Sequence, residues 1–103
     1  FFVTERDAKY PDGLKSNDYK ELYSRWFQFS AFTPVFRAHG TNVPREVWQF
    51  GEKGTPSYDN QVKYIQLRYR LLPYIYSMSH QVTANNYTLL RLGNGFHHRY
   101  PDF

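Results

Sequence analysis

Arg37 and His39 are the side chains whose types and spacing are best suited to chemistry. They stand two positions apart, and the strand predicted at residues 32–37 by Thr, Val and Phe ends beside them. Because side chains alternate along a strand, both should point to the same face. A guanidinium and an imidazole there can hydrogen-bond vicinal sugar hydroxyls or a carboxylate. A structural pair that satisfies neighbouring backbone or Asp groups fits the same spacing, so both interpretations stand.

The acidic residues offer no comparable site. None of the nine carboxylates pairs with another at a predicted strand end. The sequence has no Gly-rich phosphate loop, nucleophile elbow or zinc motif, and no cysteine for a thiol nucleophile. The adjacent His97 and His98 point apart, with Asp102 as their one suitably spaced carboxylate. We therefore predict no catalytic residue, no metal and no cofactor in this chain.

Length and charge narrow the class of protein. A complete (β/α)8 barrel needs about 200–250 residues, and this chain has 103. It begins Phe1-Phe2 without Met, so an excised fragment is expected. The 13 basic residues form no run of five and give a net charge of +4, which favours a mildly basic surface over a nucleic-acid partner. No apolar run approaches the roughly 18 residues of a membrane span, so no membrane partner is expected. The sequence does not indicate the cellular compartment of the protein.

Aromatic residues make up 20% of the chain. Such enrichment is typical of the cores of large enzymes, of the walls of carbohydrate sites, and of platforms for single-stranded nucleic acids. Composition cannot separate these three.

The first predicted element is a helix over residues 17–29, capped by Ser16 or Asn17. Its apolar positions at helical spacing are Leu22, Trp26 and Phe29, with two tyrosines beside them. Residues 45–50 follow as one helical turn in which Arg45 and Glu46 pair and the indole of Trp48 is packed.

The longest predicted helix covers residues 57–82, with Ser57 as its N-cap and a kink at Pro73. Its apolar stripe is Tyr58, Val62, Ile65, Tyr69, Leu72 and Tyr76. Arg68 and Arg70 flank this stripe and should reach solvent or an acidic neighbour. A strand at 87–92 completes the order helix, strand, helix, strand, which predicts part of an α/β fold. Alone, such a piece should expose apolar surface and self-associate.

Several stretches of the sequence resemble glycoside hydrolase family 31, in the family's order over residues 1–92. They read ELYSRWFQFSAF at 21–32, FRAHG at 36–40, REVWQFG at 45–51 and LRYRLLPYIYS at 67–77. The branch of bacterial α-xylosidases is similar in two further stretches, YPDG at 10–13 and WQFGEKGTP at 48–56.

The resemblance implies a fold and a reaction. Family members are retaining exo-α-glycosidases with a (β/α)8 catalytic barrel, and this chain resembles the C-terminal part of that barrel: about strand 7, strand 8 and their helices, mostly helical by residue count. One aspartate attacks the anomeric carbon and a second acts as acid and then base, about 5–5.5 Å away. Both lie upstream of the matching region, so no Asp here inherits their roles and the fragment alone is expected to be inactive.

Three residues are expected to bind substrate. His39 matches the family histidine that hydrogen-bonds sugar hydroxyls in the −1 subsite, and Phe1 matches an aromatic that lines this subsite. Arg37 shares the strand-end motif with His39. The resemblance thus implies an oligosaccharide substrate with a terminal α-xylosyl or α-glucosyl residue. A non-catalytic carbohydrate-binding or structural module is the alternative.

The tail at 93–103 departs from the family. Members usually continue with a segment like Met-Asp-Phe, which a one-base shift of the reading frame near Gly93 can spell. We therefore predict that 1–92 is the barrel part and that 93–103 is a divergent tail, and our hypothesis for its origin is a shift of the reading frame near Gly93.

Overall fold

The computed structural model describes residues 12–39 and 43–90. This part of the chain is mostly helical, as predicted, and none of its helices is long and apolar enough to cross a membrane. The expectations for Phe1, for His97 and His98 and for the tail at 93–103 lie outside the described residues. The helical elements, in chain order, are a 3-10 helix at Gly13–Lys15, α1 at Asn17–Ser30, a 3-10 helix at Val47–Phe50, and α2 at Pro56–Asn85.

The strands predicted at 32–37 and 87–92 do not form within the described residues. Residues 31–34 make a turn and a bend, 35–38 have no regular secondary structure, and His39 forms only an isolated bridge. A strand exists through ladder hydrogen bonds to a neighbouring strand. Local β-propensity favours an extended backbone but cannot supply that neighbour, so the α/β alternation predicted from the sequence is not seen in this part of the chain.

Helix α1 begins where its capping residues place it. The Ser16 Oγ accepts a hydrogen bond from the backbone N–H of Tyr19 at 3.3 Å, which satisfies one of the free amides of the first turn. Asp18 lies in that turn, where the helix dipole favours a negative charge. The cap at Ser16 was predicted from the sequence.

The core is built on one aromatic row of α1. Tyr19, Tyr23 and Phe27 are buried at i, i+4 and i+8, and Phe50 is buried against them. The rings of Tyr23 and Phe50 stack with their centroids 4.2 Å apart. This stacking joins the Val47–Phe50 turn to α1.

The apolar positions predicted for α1 are only partly buried. Leu22 is half-buried, whereas Trp26 and Phe29 are 44% and 51% exposed. These three side chains and Arg25 line a shallow apolar surface on the outer side of α1. Both rows have helical spacing, so periodicity alone does not tell the inner row from the outer one in so aromatic a helix.

Helix α2 begins one residue before the predicted cap. Thr55 is the N-cap and Pro56 is the first helical residue, a position where the missing N–H of proline has no cost. Asp59 reaches back to accept a hydrogen bond from the Gly54 N–H at 3.0 Å. The helix runs unbroken through Pro73 and ends at Asn86 in the left-handed conformation.

The link between the Val47–Phe50 turn and α2 requires glycine at one position. Gly51 has φ +147°, and a Cβ placed there would collide with the Oγ1 of Thr55. Thr55 is itself held by its hydroxyl, which donates to the Glu52 carbonyl at 2.7 Å. The link is therefore a defined backbone turn.

Gln61 is a buried polar residue that the sequence did not single out. Its side chain is 1% exposed, and neither atom of its amide group has a hydrogen-bond partner. Leaving such a group unpaired costs about 1–3 kcal/mol.

Candidate functional site

Residues 35–39 alternate between packed and exposed side chains. Phe36 and Ala38 pack against the core, whereas Val35, Arg37 and His39 are exposed. A period of two is that of an extended chain with one face on the protein. Arg37 and His39 therefore share the outward face, as their spacing predicted.

The inward side of this segment is held by aromatic packing. The Phe36 ring meets the Phe27 ring edge to face, with the centroids 4.8 Å apart and the planes at 73°. Edge-to-face pairs of this kind contribute about 0.5–1.5 kcal/mol beyond the area they bury. Phe36 thus fixes the segment against α1.

A corner connects α1 to this segment. The Thr33 hydroxyl lies 2.7 Å from the carbonyl oxygens of Ser30 and Val35 and can donate to either. Backbone hydrogen bonds from Phe32 to Phe29 and from Thr33 to Ser30 complete the corner.

Arg68 of α2 closes the corner from the other side. Its Nη1 donates to the Ala31 carbonyl at 3.0 Å and to the Thr33 carbonyl, and its Nη2 donates to the Pro34 carbonyl at 2.9 Å. The expectation that Arg68 reaches solvent or an acidic neighbour was wrong. Arg68 follows Tyr64 by four residues, and Tyr64 packs against the core, so the two residues share a face of α2.

The turn that precedes α2 is anchored on α1. The Tyr23 hydroxyl donates to the Arg45 carbonyl at 3.4 Å, and the Arg45 Nη1 donates to the Val43 carbonyl at 2.8 Å. Burial raises the pKa of the Tyr23 hydroxyl to about 12, against the opposing effect of the Arg45 charge. Trp48, in contrast, is 68% exposed, so the expectation of a packed indole was wrong.

The outward pair is suited to holding a ligand. Arg37 offers a fork of N–H donors, and the His39 imidazole can donate and accept. Phe1, the third expected contact, lies outside the described residues. Among residues 12–39 and 43–90, no three His, Asp or Glu side chains are grouped so as to hold a metal ion. The pair can recognise hydroxyl or carboxylate groups, and bond cleavage would need other residues.

A match to a protein-family model identifies the family of the chain. Residues 8–78 match the model described as the TIM-barrel domain of the glycosyl hydrolases of family 31. The chain belongs to glycoside hydrolase family 31. The matched range includes α1, the corner, Arg37 and His39, and most of α2.

Two curated relatives are 38% and 43% identical to the chain over the residues that match. It is 38% identical over 92 residues to an α-xylosidase of Saccharolobus solfataricus, covering 88% of the chain and 12% of that protein. It is 43% identical over 81 residues to a 1,6-α-glucosyltransferase of Sporosarcina globispora, covering 78% of the chain and 6% of that protein. The chain thus spans a small part of the length of these relatives.

A solved structure gives the same answer. The family 31 α-xylosidase of Xanthomonas citri superposes with a TM-score of 0.62 at 41% sequence identity, over 78% of the chain and 8% of that protein. The corner and the outward pair therefore lie in a family 31 TIM-barrel domain.

Proposed function

We propose that the chain is a sugar-holding part of a retaining exo-α-glycosidase that removes terminal α-xylosyl or α-glucosyl residues from oligosaccharides, with α-xyloside preferred. The observation that carries the proposal is the alternation at 35–39, which turns Arg37 and His39 outward together. The names of the α-xylosidases of S. solfataricus and X. citri support the choice of sugar.

In this proposal, residues 35–39 are the end of barrel strand 7. Helix α1 precedes that strand, α2 follows it, and residues 87–92 begin strand 8. Active sites of such barrels lie at the C-terminal ends of the strands. The order helix, extended segment, helix supports the placement, since it is the order of a βα repeat.

The role of the outward pair is to bind. His39 hydrogen-bonds hydroxyls of the sugar in the −1 subsite, where contacts that strengthen in the oxocarbenium-like transition state lower the barrier. Arg37 adds donors beside it. The nucleophilic and acid–base aspartates of the family lie upstream of the matching region, so the 103-residue chain alone should not hydrolyse glycosides.

The test uses the protein translated from the longest open reading frame that contains these residues. It should hydrolyse an aryl α-xyloside faster than the matching α-glucoside. His39→Ala should lower kcat/KM by about a hundredfold, or about 2.7 kcal/mol of transition-state binding. His80→Ala, in an exposed part of α2, is the matched control and should leave kcat/KM unchanged. Equal effects of the two variants, or no hydrolysis by the wild type, would contradict the proposal.

Exposed Trp48 favours a second candidate, a non-catalytic carbohydrate-binding module. An indole on a turn anchored by a buried neighbour, Phe50, is ready to stack on a sugar ring. Titration of the 103-residue chain with xylose-containing oligosaccharides separates the two candidates. Tight binding that Trp48→Ala abolishes, without hydrolysis by the intact protein, would favour the module.

A further inference from the structure

We propose that Arg68 is a positioning residue for Arg37 and His39: it holds the corner after α1 so that residues 35–39 present this pair outward. The proposal rests on the proposed sugar-binding function of the pair. Arg68 lies on α2, more than 25 residues away in sequence, and its contacts are with the backbone before the pair.

The first step is the chemistry of the corner. The last carbonyls of a helix have no partner within it, and they form the negative end of its dipole. Ala31 is the C-cap of α1, and its carbonyl accepts from Arg68 together with those of Thr33 and Pro34. A planar guanidinium can serve three diverging acceptors at once, which the single ammonium of lysine cannot do with the same geometry.

The second step links the corner to the outward pair. The guanidinium carbon of Arg68 lies 5.9 Å from the centroid of the Phe36 ring, within cation–π range. Arg68 thus contacts both the turn that sets the path of the chain and the first inward side chain of the segment. Phe36 is the residue directly before Arg37.

The third step concerns the register of residues 35–39, which the contacts of Arg68 hold in place. In an extended segment, a slip of one residue moves every side chain to the opposite face. Such a slip here would turn Arg37 and His39 into the aromatic core and Phe36 out to solvent. The fixed carbonyls of the corner and the fixed Phe36 ring exclude this alternative, so the contacts of Arg68 determine which side chains face a ligand.

The first experiment is a double-mutant cycle in the protein from the longest open reading frame. Arg68→Lys keeps the positive charge but loses the planar set of guanidinium N–H donors. It should raise KM for the aryl α-glycoside about tenfold. In a His39→Ala background the same change should raise KM less than twofold, because the displaced contact is already absent. Arg70→Lys, at an exposed position of the same helix, should leave KM unchanged in both backgrounds. Equal factors in both backgrounds would overturn the proposal, since a purely structural loss does not depend on His39.

The second experiment does not depend on glycosidase activity. Hydrogen exchange of the 103-residue chain should be about tenfold faster at residues 35–39 in Arg68→Lys than in Arg70→Lys, with the middles of α1 and α2 unchanged. Unchanged exchange at 35–39, or an equal increase throughout, would overturn the positioning role. If the wild-type protein cleaves no α-glycoside while exchange changes only at 35–39, the proposed function fails and the role of Arg68 in placing the pair stands.

Discussion

The apolar stripe of α2 has different surroundings in the two halves of the helix. Up to Arg68 the helix packs on α1 and on the Val47–Phe50 turn, with Gln61 buried and Tyr64 and Ile65 against the core. Beyond Arg68 the same apolar stripe continues into solvent, where Tyr69 is 70% and Tyr76 is 81% exposed.

This difference shows that an amphipathic pattern predicts which face of a helix is apolar, but does not predict what packs against that face. The stripe from Tyr58 to Tyr76 was predicted as one continuous surface. In the structure its first part meets the core, and Arg68 marks the last firm contact with the corner after α1. The stripe therefore contributes to tertiary stability mainly in its first half, whereas the buried residue of the second half, Ile75, does not belong to the stripe.

The largest contrast should come from deleting an aromatic ring in each region. Phe50→Ala removes a ring that is 2% exposed and stacked on Tyr23, and should lower the free energy of unfolding by about 3–5 kcal/mol. Tyr76→Ala, in the exposed half, should change it by less than about 0.5 kcal/mol. Urea denaturation followed by circular dichroism measures both. Similar losses for the two variants would mean that the Tyr76 side chain is also packed.

The packed region should also respond to alkali. Since the pKa of Tyr23 is raised from 10.0 to about 12, the unfolded chain loses this proton first as the pH rises through that window. The folded state then binds more protons than the unfolded one, so stability is retained below pH 10 and should fall by about 2 kcal/mol towards pH 12.

Tyr23→Phe tests this assignment directly. It removes the titrating hydroxyl and its contact with the Arg45 carbonyl, so it should lower stability slightly at neutral pH and flatten the loss between pH 10 and 12. Tyr76→Phe, the matched change in the exposed half, should leave the alkaline slope as it is. An unchanged slope in Tyr23→Phe would refute the assignment to this residue.

The smallest expected effect concerns association of the chain with itself. Tyr69, Leu72 and Tyr76 form an exposed apolar row at i, i+3 and i+7 of α2. Tyr69→Ser with Tyr76→Ser should weaken self-association about tenfold, or about 1.4 kcal/mol. Sedimentation velocity over a range of concentrations measures this, with Lys63→Ser in the packed half as the control. A wild-type chain that is monomeric throughout would remove the basis for the prediction.

Local sequence signals predicted the helices well. The helix expected at 17–29 is observed at Asn17–Ser30, and that expected at 57–82 is observed at Pro56–Asn85. Capping and periodicity act within a few residues, so a single sequence contains them. The buried row of α1 could not be chosen in this way, because the ring that packs on it, Phe50, comes from another part of the chain.

The shared face of Arg37 and His39 could be predicted from the sequence, whereas the contacts that hold residues 35–39 in place could not. The spacing of Arg37 and His39 was enough to place them on one face. The strand itself required a neighbouring strand, and no local propensity provides one. The contacts of Arg68 were missed because they are made to backbone carbonyls, which every sequence has and which only the fold brings together.

The turn at Gly51 determines the rotational phase of α2. Within α2 each residue turns the helix by about 100°, so one residue inserted between Pro56 and Arg68 would rotate Arg68 by that angle relative to the start of the helix. That angle is enough to move Arg68 away from the corner and to bring a different row of side chains against α1. Because no Cβ fits at Gly51 beside Thr55, the phase is fixed by the shape of the backbone. The start of α2, from which the position of Arg68 follows, thus depends on a glycine 17 positions earlier in the chain.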